Sequence, residues 1–113
     1  MVPHPAQSIA FGSFRLLVTE RLLEKDGEPI ALGSRALDIL IALVERAGDV
    51  IDKKDLIARV WPNVTVDESS LRVHLAALRK VLGDGGSDSR YIVNIPGRGY
   101  CFVSSVDVSA HEN

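Results

Sequence analysis

Between residues 9 and 32 the apolar positions come in short runs, IAF, FRLLV, RLLEK and PIAL, broken by Gly12-Ser13, Thr19-Glu20 and Asp26-Gly27. The pattern predicts a small antiparallel sheet, with Asp-Gly suited to a tight hairpin turn whose central residues need positive φ. Beyond Leu32 the period changes from strand-like to helical. Ala36, Leu37, Leu40, Leu43, Val44 and Ala47 recur at helical spacing, and Ile39, Ile41 and Ala42 widen the stripe. A core helix over residues 35–47 follows, capped by Ser34 and closed by Gly48. Val50-Ile51 suits a short bridging strand before Asp52 caps a second helix, from residue 53 to 60 or 61, stopped by Pro62.

A third helix begins at Asp67, with Val66 and Leu71 placed to staple across the cap. At about 100° per residue, Leu71, Leu75, Leu78 and Leu82 fall on one side and must face the core. Ser69, Val73, Ala76, Ala77 and Lys80 point the opposite way, Arg72 and Arg79 share one flank, and His74 lies on the other. Gly83 ends the helix, and DGGSDS predicts a flexible connection. The closing segment alternates through Tyr91, Val93 and Ile95, turns at Pro96-Gly97 as a type II turn would, and returns over residues 100–103. Residues 1–8, with Pro3 and Pro5, read as a loose tail, and SVDVSAHEN at 105–113 reads as a tail or the start of a linker. One domain, 9–104, lies between them.

With 113 residues the chain is long enough for one real core and too short for a catalytic domain plus accessories. It holds no apolar run of membrane-spanning length, and MVPHPAQS lacks the regions of a signal peptide, so a soluble, cytoplasmic chain is expected. The single cysteine, Cys101, sits in a strand pattern and reads as a small packing residue, with neither a disulfide nor a zinc partner set available. The net charge of −2 argues against nucleic acid until its distribution is considered. Residues 69–100 carry five basic and two acidic groups, whereas every other segment is net acidic. A local basic patch over the third helix and the hairpin is the footprint that DNA binding requires.

Three helices followed by a hairpin form the winged helix-turn-helix plan, whose third helix enters the major groove. An α+β fold is expected, with an amino-terminal antiparallel sheet, a three-helix core and a hairpin wing. Four elements in order, the strand pattern ending DGEPIAL, the run ALDILIALVERAGDVIDKKDLIARVW, the segment LRVHLAALRKVLGD and the hairpin YIVNIPGRGYCFV, resemble the DNA-binding domain of OmpR/PhoB-type transcriptional regulators. The resemblance covers about residues 9–104. It implies that the sheet packs on the helices, that the third helix reads the major groove, and that the wing touches the neighbouring minor groove.

Carried over by position, the resemblance makes His74 and Arg79 phosphate contacts, with Trp61 donating its indole N–H and Tyr100 its hydroxyl to the backbone. Asn94 takes a polar contact position in the wing strand. Arg98, between two glycines, suits a narrow and negatively charged minor groove. Phosphate contacts fix register, while sequence is read from base edges. Where well-known members carry arginines this chain has Ala76 and Ala77, which removes a bidentate guanine contact. The outward stripe Ser69, Val73, Ala76 and Ala77 is expected to read thymine methyls by close packing, so an A·T-rich site is expected.

Bland readings stand beside these. His74 is also explained as a solvent-facing helical residue and Trp61 as a packing residue at a helix end. Arg72 fits a phosphate contact or an ion pair with Glu68 at i−4, and Lys53 and Lys54 fit a solvated face. Arg98 has no such alternative, because a turn needs the glycines and not the arginine. An enzyme is not expected: His4, His74 and His111 lack metal-ligand spacing, no glycine-rich phosphate loop is present, and Asp52, Asp55, Asp67 and Glu68 are explained as helix starts. No cofactor is expected. The implied partners are double-stranded promoter DNA, arranged as direct repeats with a head-to-tail second copy, and RNA polymerase. A winged-helix module that binds protein instead of DNA is the competing reading. A domain that is mainly monomeric in free solution is expected. Met1 stands almost directly before the sheet and no receiver domain precedes it. That suggests either an excised piece or an architecture with the DNA-binding domain first, ahead of a sensor, membrane or ATPase region.

Overall fold

The alternation over the first thirty residues and the helical periods after it both produce the elements they predict. In the computed structural model, which describes residues 6–83 and 91–111, the chain order is β1 (Ala6–Phe11), β2 (Phe14–Leu17), β3 (Leu22–Lys25), β4 (Glu28–Ile30), α1 (Ser34–Glu45), β5 (Val50–Asp52), α2 (Lys53–Val60), α3 (Glu68–Leu82), β6 (Ile92–Ile95), β7 (Gly99–Phe102) and β8 (Asp107–His111). Two units divide these elements, Leu32–Ser104 forming one and the two ends of the chain the other.

The terminal unit is a five-stranded antiparallel sheet in the order β4-β3-β2-β1-β8. Its hairpins close as the turn residues predict. Asp26 and Gly27 both take positive φ, 52° and 83°, between the paired Lys25 and Glu28, the arrangement a type I′ turn needs. Gly12, with φ 55°, leads the two-residue turn between paired Phe11 and Phe14, whose rings stack at 5.5 Å. Ile9, Phe11, Phe14, Leu16 and Leu23 are buried.

Two segments expected as tails belong to this sheet. Strand β1 starts at Ala6 and not Ile9, and 107–111 form β8, paired from Ala10↔Asp107 to Ala6↔His111. The boundaries expected at residues 8 and 105 therefore do not mark the ends of regular structure. Main-chain pairing is the reason: an unpaired strand edge offers a row of donors and acceptors that another segment can satisfy without a strong apolar pattern of its own.

In the central unit α1 packs on α2 and α3, and a three-stranded antiparallel sheet runs in the order β5-β7-β6. On α1, Ala36, Leu37, Ile39, Leu40, Ala42, Leu43 and Val44 are buried, as its wide apolar stripe requires. Its N-cap is Gly33, one residue before the expected Ser34, because the Gly33 carbonyl already accepts the Leu37 N–H at 2.9 Å. Gly48 lies beyond the C-cap Arg46, takes φ 90°, and donates its N–H to the Phe102 carbonyl at 2.8 Å, tying the end of α1 to β7. Asp52 caps α2 as expected, accepting from the Lys54 N–H at 3.2 Å, and Arg59 pairs with Glu45 to link α2 to α1 at the surface.

Helix α3 buries Leu71, Leu75, Leu78 and Leu82, the four leucines predicted to face inward. Burying four such side chains stabilises by about 1.5–3 kcal/mol each before entropy is counted, so the rotation of α3 about its own axis is strongly determined. Gly83 closes it in the left-handed region at φ 73°. The expected flexible connection at 84–89 lies outside the described residues. In β6 the fully buried residue is Ile92, while Val93 and Ile95, with Tyr91 just before the strand, the alternating residues seen in the sequence, are half-buried. Cys101 is buried and free, in keeping with a packing role.

Candidate nucleic-acid interface

With its leucines turned inward, α3 leaves Ser69, Arg72, Val73, Ala76, Ala77 and Lys80 exposed on one helical surface. Val73 is 66% exposed, so the surface it shares with Ala76 and Ala77 is small and apolar. Around it stand only short side chains and two long cations, so a flat polyanionic groove could approach the helix backbone closely. Arg72 lies 3.9 Å from Glu68, one turn back, and Lys53 of α2 reaches the same carboxylate at 4.0 Å. The Arg72 pair is largely in solvent, where an ion pair is worth roughly a few tenths of a kcal/mol, so it leaves Arg72 available to a stronger anion.

His74 and Trp61, separated by 13 positions in sequence, meet in space with ring centroids 5.7 Å apart and an interplanar angle of 49°. The indole is buried, and the guanidinium of Arg35 stands 5.8 Å from its centroid. Arg35 Nη1 also donates to the Val60 carbonyl at 2.7 Å and lies 3.7 Å from Asp38. The last carbonyl of α2 is thereby satisfied by a charged donor, which fixes the residue after it, Trp61. Sequence reasoning does not single out Arg35. Its place over the indole depends on a contact 26 positions away, and no local pattern carries that signal.

Arg79 occupies a different environment from Arg72, although both lie on one flank of the helix. It is half-buried and donates from Nη2 to the Ile92 carbonyl of β6 at 3.1 Å. Its Nε is buried with no hydrogen-bond partner among the described residues.

At the hairpin tip the Arg98 N–H donates to the Ile95 carbonyl at 3.0 Å and Gly97 takes φ 74°, which is the positive φ a type II turn requires after proline. Arg98 itself is exposed. Gly99 is required for a separate reason: a Cβ there would stand 1.9 Å from the Ile51 carbonyl oxygen of β5. Asn94 is exposed on β6 opposite Tyr100, which is only 6% exposed. Among the described residues, no group of three or more His, Cys, Asp or Glu is placed to hold a metal ion, and no helix is long and apolar enough to cross a membrane.

A family model described as "Transcriptional regulatory protein, C terminal" matches residues 27–102, which take in every one of these side chains. The chain belongs to that family. Among similar proteins, the cholera toxin transcriptional activator of Vibrio cholerae is 34% identical over 99 residues, 84% of this chain and 34% of that protein. The transcriptional regulator HilA of Salmonella typhimurium is 31% identical over 107 residues, 95% of this chain and 19% of that protein. The chain thus spans about a third or less of these curated relatives. Among solved structures, the RstA DNA-binding domain of Klebsiella pneumoniae, crystallised in complex with the RstA box, is 31% identical with a TM-score of 0.74, covering 85% of this chain and 96% of that one. The DNA-binding domain of Escherichia coli CadC is 26% identical with a TM-score of 0.76, covering 95% and 98%. As a member of the transcriptional regulatory family, the chain has the winged-helix α+β fold, with α3 as its third helix and β6–β7 as its wing.

Proposed function

We propose that this chain binds double-stranded promoter DNA in a sequence-directed way, as the DNA-binding part of a bacterial transcriptional regulator acting in the cytoplasm. Helix α3 enters the major groove and Arg98 on the wing enters the adjacent minor groove. The observation that carries the reading is the exposed surface Ser69-Val73-Ala76-Ala77 on a helix whose opposite face is locked in the core, in a domain similar to one crystallised on its DNA box. Trp61, His74, Arg72 and Lys80 supply backbone contacts on either side of that stripe, and Asn94 and Tyr100 supply polar ones from the wing. With no arginine at 76 or 77, base reading rests on apolar contact with thymine methyls and on groove shape, which favours A·T-rich sites. Promoters with direct repeats would seat two copies head to tail.

Selection from random duplexes, followed by a salt titration of the selected site, tests this. If about four to six phosphates are neutralised, log affinity should fall against log salt with a slope of about −4 to −5. A chain that shifts no duplex at low salt, while capturing a protein partner without salt dependence, would be a protein-binding module instead. A guanine-dominated selected site would sink the thymine-methyl reading alone.

A further inference from the structure

Resting on that DNA-binding reading, we propose that Arg79 is a positioning residue for the wing. It ties α3 to β6 and so sets where Arg98 is presented, and it is not one of the phosphate contacts. The hairpin hydrogen bonds leave a place for such a tie. The Val103 N–H donates to the Tyr91 carbonyl at 2.8 Å, so Tyr91 and Val103 form a bonded pair. In an antiparallel ladder the next pair, Ile92 and Phe102, must then turn its carbonyls outward from the hairpin. The Phe102 carbonyl is taken by the Gly48 N–H at 2.8 Å. The Ile92 carbonyl lies on the open edge of β6, and Arg79 Nη2 takes it at 3.1 Å.

The root of the wing is therefore held on both edges. On one side β5 pairs with β7 so closely that Gly99 has no room for a Cβ. On the other, a guanidinium anchored in α3 holds β6. Arg98 stands six residues beyond Ile92, and a small rotation at the root becomes a larger displacement at the tip. Arg79 is also poorly placed to grip a phosphate. With Nε buried and one Nη2 hydrogen committed to Ile92, the side-on Nε/Nη2 fork of Arg79 is closed to a phosphate, which leaves it only the outer hydrogens of Nη1 and Nη2.

A double-mutant cycle on a selected duplex decides between the roles, using Arg79→Lys, Arg79→Gln, Arg98→Ala and the two doubles, with folding of each checked by thermal unfolding. Lysine keeps the charge and the stem but ends about where the guanidinium carbon sits, one bond short of the Ile92 carbonyl. If Arg79 positions the wing, either substitution lowers affinity about tenfold when Arg98 is present and less than about twofold when it is absent, a coupling that loss of a separate contact cannot produce. The salt slope of Arg98→Ala should also stay unchanged when Arg79 is substituted in that background. Additive losses, with a further fall of about 0.9 in slope for Arg79→Gln, would make Arg79 a phosphate contact and overturn the proposal. Wild-type affinity in Arg79→Lys would overturn it equally. Should Arg79→Gln not fold, the cycle with Arg79→Lys alone distinguishes the same two roles. Failure of the unsubstituted chain to bind duplex DNA would sink both the DNA reading and this one, whereas additivity would sink only this one.

Discussion

Helix α3 and the tip of the β6–β7 wing are held in place by different means. The helix is positioned by side chains: Leu71, Leu75, Leu78 and Leu82 are all buried, so its outward residues carry no duty in the fold. The base of the wing is packed too, with Ile92, Tyr100, Cys101 and Phe102 buried, whereas toward its tip backbone features take over: a type II turn and a glycine pressed against a neighbouring carbonyl. The outward residues of α3, proposed to read DNA, are thus open to change at little cost to the fold, while on the wing that freedom falls to exposed positions such as Asn94 and Arg98. Small apolar groups occupy the first surface and a lone arginine the second.

The largest expected effect tests the backbone half of that contrast. Gly99→Ala puts a Cβ 1.9 Å from the Ile51 oxygen and should cost about 3 kcal/mol or more in denaturant unfolding, since two paired strands must separate. Gly97→Ala is the control, because Gly97 has φ 74° but nothing within 4 Å of its added Cβ. It should cost only about 1 kcal/mol, the strain of a left-handed alanine. Equal costs at the two positions would mean that β5 does not hold the wing.

Next in size is a change on the helix. Ala77→Arg should alter stability by less than about 0.5 kcal/mol, as exposed substitutions do. In binding-site selection it should favour guanine at one position by about 2 kcal/mol, through the bidentate contact that alanine lacks. Loss of the fold in this variant would show that the outward face is not free. Arg98→Ala should follow, with about a tenfold weaker complex, a salt slope shallower by about 0.9 and unchanged thermal unfolding.

The same division explains what can be read along the chain. The leucines of α3 and the wide stripe of α1 state their own faces through spacing, and Asp26-Gly27 and Pro96-Gly97 state their turns through backbone preference, so these elements are legible. Strand β8 is not, because it joins the sheet through its main chain and Asp107–His111 has little apolar character to announce it. The α1 cap shifts by one residue because a glycine carbonyl closes the first turn as well as one from serine would. Arg35 is identifiable in the sequence only as a cation, and Arg79 only as a flank residue to which the resemblance gives a phosphate contact. Their partners, Val60 and Ile92, lie 25 and 13 positions away, and no local period links them.

The smallest effect concerns the border between the two surfaces' charges. Glu68 sits at the start of α3 beside Arg72 at 3.9 Å and Lys53 at 4.0 Å, all partly or fully in solvent. In the free chain these pairs are weak, and the carboxylate also favours the helix dipole, so Glu68→Gln should lower stability by only about 0.3–0.5 kcal/mol. On DNA the sign reverses. A carboxylate near phosphates is repelled, and its weak pairing competes with them for Arg72 and Lys53. Glu68→Gln should therefore bind DNA about twofold more tightly at low salt, with the gain vanishing as salt screens the charges. A twofold loss instead would mean that the Glu68 pair holds Arg72 in the orientation it uses on DNA, and that the helix, like the wing, depends on a positioned arginine.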